Sequence, residues 1–218
     1  MSETLKRVIS GIIYIAVMWL GTSYSSTSFA ILFGFLGILS FYEMWKLRKG
    51  KNKFLAFIYV LLPFFLIQLF GITDHNSPNK EFNPSIILLL FILTWTFDTF
   101  AYIVGVKFGK TKILPAISPK KSWEGFLGGL LFCLFAGFLS QYFFRPYFEN
   151  IPFKTIIILC LILPFTATTG DFIESHFKRQ AKVKDSGNII PGHGGILDRM
   201  DAFMVTIPVL YLLINFVK

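Results

Sequence analysis

The sequence predicts an all-α fold, a polytopic membrane helical bundle of about seven transmembrane helices with its N-terminus in the cytoplasm, and three observations carry that expectation. Only 15% of the 218 residues are charged, while 54% are hydrophobic and 27 are Phe; an ordinary soluble domain carries about 25% charged residues. The apolar residues gather in runs near the ~20 residues that cross a hydrocarbon core of about 30 Å at about 1.5 Å per residue. The cations alternate in density from one connecting segment to the next, as orientation in a membrane demands.

The runs lie at about 8–22, 27–44, 54–72, 84–106, 123–144, 154–172 and 196–216. The first follows Lys6 and Arg7, as a signal peptide would, but no small-residue cleavage site separates it from the second, so it is read as a membrane helix. The net charge of +9 raises the question of nucleic acid, and the placement of the cations answers against it. Seventeen Lys and Arg flank the ends assigned to the cytoplasm, and four (Lys80, Arg145, Lys154 and Lys218) flank the others. Cys133 and Cys160 sit inside apolar runs without a CxxC pattern and read as small core residues. One membrane domain accounts for residues 1–218, with N-terminal helices through 83 and a catalytic core from 84 to 218.

The polar residues concentrate in the cytoplasmic connections. The stretch "WKLRKGKNK" at 45–53 has no acid and no histidine and reads as an anchor beside anionic head groups. Asp98 differs, because it falls within the fourth run, where an ionised carboxylate costs several kcal/mol unless it is paired or faces a polar cavity. Beyond it, "ISPKKSWEG" sets Ser118, Lys120 and Lys121 ahead of Ser122, a candidate cap for the fifth helix, and Glu124. Backbone N–H groups at such a helix start favour an anion, and adjacent lysines suit phosphate.

The third connection holds Asp171 where the sixth run ends and Asp198 and Asp201 where the seventh begins. A spacing of three puts the last two on one helical face. Carboxylates so gathered suit a hard divalent cation such as Mg2+, which takes oxygen ligands and retains water or substrate phosphate. Lys178, Arg179, Lys182 and Lys184 lie between those acids in sequence, the mixture that phosphoryl chemistry uses. Gly192, Gly194 and Gly195 allow close backbone approach to a ligand, and His193 among them offers a donor or an acid or base. His75 falls in an outer connection, and His176 reads as an ordinary polar residue.

The run from Ser175 to Asp201, "SHFKRQAKVKDSGNIIPGHGGILDRMD", resembles the signature of the phosphatidate cytidylyltransferase (CDP-diglyceride synthase) family at every fixed position. "DTFAYIVGVKFGK" and "ISPKKSWEG" resemble two further segments of that family, with Ser122 where Thr is commoner. The resemblance implies transfer of a cytidylyl group from CTP to phosphatidic acid, giving CDP-diacylglycerol and pyrophosphate for phospholipid biosynthesis. It further implies Mg2+ together with a monovalent cation such as K+, a homodimer, and a site on the cytoplasmic side of the cell (inner) membrane. By position, Asp171 and Asp198 match the metal carboxylates. Asp98, Lys120, Lys121, Lys178, Arg179, Lys184, Asp185, His193 and Arg199 match catalytic positions, and Ser118, Ser122, Glu124, Gly194, Gly195 and Asp201 match binding positions. A transferase acting on another lipid phosphate, such as an isoprenoid ether lipid, fits the same residues. An ion-coupled transporter would explain Asp98 but leave the loop motifs idle.

Overall fold

A computed structural model describes residues 3–72 and 82–216; His75, Lys80 and Lys218 lie outside these described residues. Among the described residues there are seven long helices, α1 (Glu3–Ser23), α2 (Ser26–Leu47), α3 (Phe54–Ile72), α4 (Ser85–Phe108), α5 (Trp123–Phe143), α7 (Phe153–Gln180) and α8 (Leu197–Phe216), with a four-residue α6 (Arg145–Phe148). A two-stranded antiparallel hairpin, β1 (Lys112–Leu114) and β2 (Ser118–Ser122), links α4 to α5.

Among the described residues α1 to α5 and α7 are long and apolar enough to cross a membrane. The seventh expected span, α8, is a helix, but Asp198, Arg199 and Asp201 occupy its first five residues and interrupt the apolar stretch. Apolar side chains such as Ile12, Ile31, Phe65 and Leu131 are more than half exposed. Lipid supplies their missing neighbours, because acyl chains are as apolar as Leu. The chain is an integral membrane protein.

Without a hydrophobic drive between helices in lipid, close packing of small residues and interhelical hydrogen bonds set which helices pair. Gly125 and Gly129, one turn apart on α5, lie against α4 at Ala101, Gly105 and Phe97, so the backbones approach closely. On the other side of the bundle, Thr166 and Thr206 share a buried hydroxyl hydrogen bond of 2.8 Å between α7 and α8. Beside it, a side chain on Gly170 would strike the carbonyl of Asp201, and the Tyr59 hydroxyl of α3 donates to the Gly170 carbonyl at 2.9 Å. The closeness of α7 and α8 at Gly170 is what sets Asp171 beside Asp201. Gly170→Ala is therefore expected to cost about 1–3 kcal/mol of overpacking; a thermal unfolding midpoint in detergent equal to that of the unmodified protein would contradict it.

One boundary and one element depart from the sequence reading. The sixth expected span stops at 172, whereas α7 runs on to Gln180, so Glu174 and Lys178 are helical and share a face with Asp171. Their polarity marks a helix lining a cavity and not an emerging loop. The hairpin was not expected; its strands are three and five residues long, too short for alternation to register.

Candidate active site

Between α4, the hairpin, α7 and the start of α8 lies a cavity of about 760 Å³. Asp98 of α4 faces it and is solvent-accessible there, despite lying well inside an apolar helix. Ser118, Lys120, Lys121 and Ser122 reach it from β2, and Asp171 and Lys178 from α7. Asp185 reaches it from the loop between α7 and α8, and Asp198, Arg199 and Asp201 from the first turn of α8. Segments spread over some hundred residues of the chain, from Asp98 to Asp201, thus line one space. Counting side chains, five acids (Asp98, Asp171, Asp185, Asp198, Asp201) meet five cations (Lys112, Lys120, Lys121, Lys178, Arg199).

Those charges are organised in two pairs of contacts. Lys121 forms an ion pair with Asp171, whose Oδ1 also accepts the Ser175 hydroxyl at 3.1 Å. Lys178 is ion-paired with Glu174 and donates to Asp198 Oδ1 at 2.7 Å. Carboxylate oxygens of Asp171, Glu174 and Asp201 come within 4.8 Å of one another, a hard-oxygen group that fits a divalent cation. Glu174 is fully buried, and among the described residues its oxygens accept no hydrogen bond beyond the Lys178 contact, which leaves them available. Asp198 is more committed, since its Oδ2 accepts the Gly195 N–H at 2.7 Å, the Ser186 N–H at 2.9 Å and lies 3.0 Å from the Ser186 hydroxyl.

The glycine-rich turn is built to deliver those donors. Ile190 and Gly194 form a tight backbone bridge, and Gly192 and Gly194 adopt φ of +77° and +85°, a region that side-chain-bearing residues rarely enter. His193, carried on that turn, packs away from the main cavity against α1, its Nδ1 2.9 Å from the Ser10 hydroxyl. It lines a smaller chamber of about 340 Å³ with Gly11, Tyr14 and Trp95, and the two spaces share Asp98, Asp198, Arg199 and Asp201. Burial lowers the His193 pKa from its ordinary 6.5, Arg199 and Arg7 lower it further, and the Pro191 carbonyl opposes them.

Six residues matched by position do not line the main cavity, His193 among them. Arg179 donates to the Val183 carbonyl at 3.3 Å, Lys184 is exposed, and Gly194 and Gly195 form the wall behind Asp198. The sixth is Glu124, whose carboxylate accepts the N–H groups of Lys110 and Thr111 at 3.0–3.1 Å and clasps the base of the hairpin. Ser122 caps α5 through Gly125 N–H at 3.2 Å, as expected.

A family model described as the cytidylyltransferase family matches residues 48–217. The chain belongs to that family. It is also similar to curated proteins named phosphatidate cytidylyltransferase. That of Rickettsia typhi is 34% identical over 209 residues, covering 94% of this chain and 89% of the relative. That of Rickettsia bellii is 33% identical over 218 residues, 96% and 90% of the two chains. Identity rises to 46% with the protein of Staphylococcus saprophyticus, over 128 residues that make up 59% of this chain and 48% of the relative. This cytidylyltransferase family member therefore carries an enzyme's cavity within a membrane bundle.

Two acids of the site region escaped the sequence reading. Glu174 lay in what read as a loop. Glu43 of α2 stood at the end of an apolar run with nothing nearby to suggest a partner 143 to 154 residues away. A carboxylate in an apolar helix is the signal that would have found it, since it needs donors.

Proposed function

We propose that this enzyme is a phosphatidate cytidylyltransferase, forming CDP-diacylglycerol and pyrophosphate from CTP and phosphatidic acid at the cytoplasmic face of the cell membrane. The observation that carries the reading is the single cavity in which the Ser-Pro-Lys-Lys segment faces the Asp-Arg-Met-Asp start of α8 inside a membrane bundle. A lipid phosphate whose acyl chains remain in the bilayer and a nucleotide arriving from water can meet only at such an interface.

The reaction forms a bond between an oxygen of the lipid phosphate and the α-phosphorus of CTP. The bond from that phosphorus to the bridging oxygen breaks, and its electron pair leaves on pyrophosphate. A phosphomonoester has a second pKa of about 6, so the nucleophile is already ionised and needs no strong base. The barrier lies in bringing two polyanions together, and catalysis rests on charge neutralisation and in-line positioning. Lys120 and Lys121 on β2, Lys178 on α7 and Arg199 on α8 face the cavity from different sides and are assigned to the phosphates. Asp171, Asp198 and Asp201, joined by Glu174, would hold Mg2+. When bound, Mg2+ would neutralise phosphate charge that five cations balanced by five acids cannot. K+ beside it and a homodimer belong to the same proposal.

The test is pyrophosphate release by the purified protein in detergent with phosphatidate, CTP and Mg2+, beside Asp198→Asn. Release should require all three components and fall about 100-fold or more in the variant. A well-folded preparation that releases none, or releases it equally without Mg2+, contradicts the reading; release only with an isoprenoid ether lipid phosphate reassigns the acceptor.

A further inference from the structure

We propose that Glu43, in α2 and outside the matched family region, is a positioning residue for the reaction, fixing the glycine-rich turn, the start of α8 and, through Ser186, the orientation of Asp198. The carboxylate is 2% exposed and has no cation beside it among the contacts it makes. Its Oε1 accepts the N–H of Ile196 at 3.1 Å, and its Oε2 accepts the N–H of Leu197 at 2.8 Å and the Ser186 hydroxyl at 2.9 Å. A buried charge is tolerated only when hydrogen-bonded, and the positive end of a helix favours it.

Helix starts are usually capped from their own chain by Ser, Thr, Asp or Asn just before the first turn. Here Gly195 and Ile196 occupy those places, and neither side chain can cap. Gly195 tolerates no replacement, because a Cβ there would run into the Ser186 hydroxyl and both Glu43 oxygens. The cap is supplied instead from α2, across about 150 residues of sequence. The Ser186 hydroxyl lies 2.9 Å from Glu43 and 3.0 Å from Asp198, so one small side chain couples the remote carboxylate to a carboxylate facing the cavity. A carboxylate serving only to stabilise α8 would not be tied to Asp198 in this way.

The inference rests on the cytidylyltransferase reading, and two measurements separate them. Glu43→Gln keeps the shape but puts an NH2 group against one of the helix N–H donors. Per folded, monodisperse enzyme, kcat should fall about tenfold or more while KM for CTP stays within about threefold. Amide exchange across 186–197 should accelerate, and exchange around Thr206 should not. Glu43→Ala should be worse than Gln on both counts. A role confined to stability predicts fewer folded molecules with unchanged kcat, and that result, or unchanged exchange across 186–197, overturns the inference. Should the Glu43 variants fail to fold, Ser186→Ala leaves Glu43 in place and must show the same fall in kcat. If the unmodified protein releases no pyrophosphate, the activity reading fails, and exchange across 186–197 alone decides whether Glu43 positions the turn.

Discussion

Asp171→Asn is expected to lower turnover at saturating CTP and phosphatidate by about 10²–10³-fold, the loss typical when one group stabilising transferred charge is removed. It should also raise the Mg2+ concentration needed for half-maximal rate. Asp171 sits within 4.8 Å of Glu174 and Asp201 by ligand atoms and is ion-paired with Lys121. Asparagine keeps the shape and one acceptor, so the Ser175 contact survives while the charge is lost. Asp198→Asn makes an informative contrast, since it also places an amide NH2 near Gly195 N–H, Ser186 N–H or Lys178. The Asp171 change should therefore alter Mg2+ dependence without loosening the glycine-rich turn. Turnover within threefold of the unmodified enzyme, with an unshifted Mg2+ curve, would remove Asp171 from the metal group and leave it as the partner of Lys121.

How far the sequence foretold this site depends on which kind of information each residue carries. Run lengths set the helices, because hydrocarbon thickness imposes one scale on all of them. Asp98, the Ser-Pro-Lys-Lys segment and the three aspartates at 171, 198 and 201 were legible because charge is expensive next to lipid and must be explained. Which of two neighbours faces inward was not legible. Lys178 and Arg179 are adjacent in α7, yet successive helical residues point about 100° apart, and only Lys178 meets the cavity. Glu124 matched a binding position of the resembled family, but its carboxylate turns back to the chain entering β1. Glu43 carried only the general signal of a carboxylate in an apolar helix; which donors meet it was not legible, since its partners are fixed by how α2 packs beside α8.

Lys178→Met is expected to be the most destabilising single change in the site, and its effect should depend on Mg2+. The ammonium group sits between Glu174 and Asp198, with side-chain exposures of 12% for Lys178, 0% for Glu174 and 5% for Asp198. Taking one partner from a buried ion pair costs about 3–5 kcal/mol, because the charge left behind is neither paired nor hydrated. Asp198 retains two backbone N–H donors on its other oxygen, but among the described residues Glu174 accepts no other hydrogen bond, so the penalty falls chiefly on Glu174. Methionine fills the volume of the lysine stem, which limits the packing loss. At about 2–4 °C per kcal/mol for a chain of this size, the unfolding midpoint without Mg2+ should fall by roughly 10 °C. Added Mg2+ should restore more of that midpoint in the variant than it adds to the unmodified protein, where Lys178 already neutralises the same carboxylates. A midpoint within about 2 °C of the original would mean that the Lys178 contacts carry little net energy. An equal gain from Mg2+ in both proteins would mean that the cation binds away from Glu174.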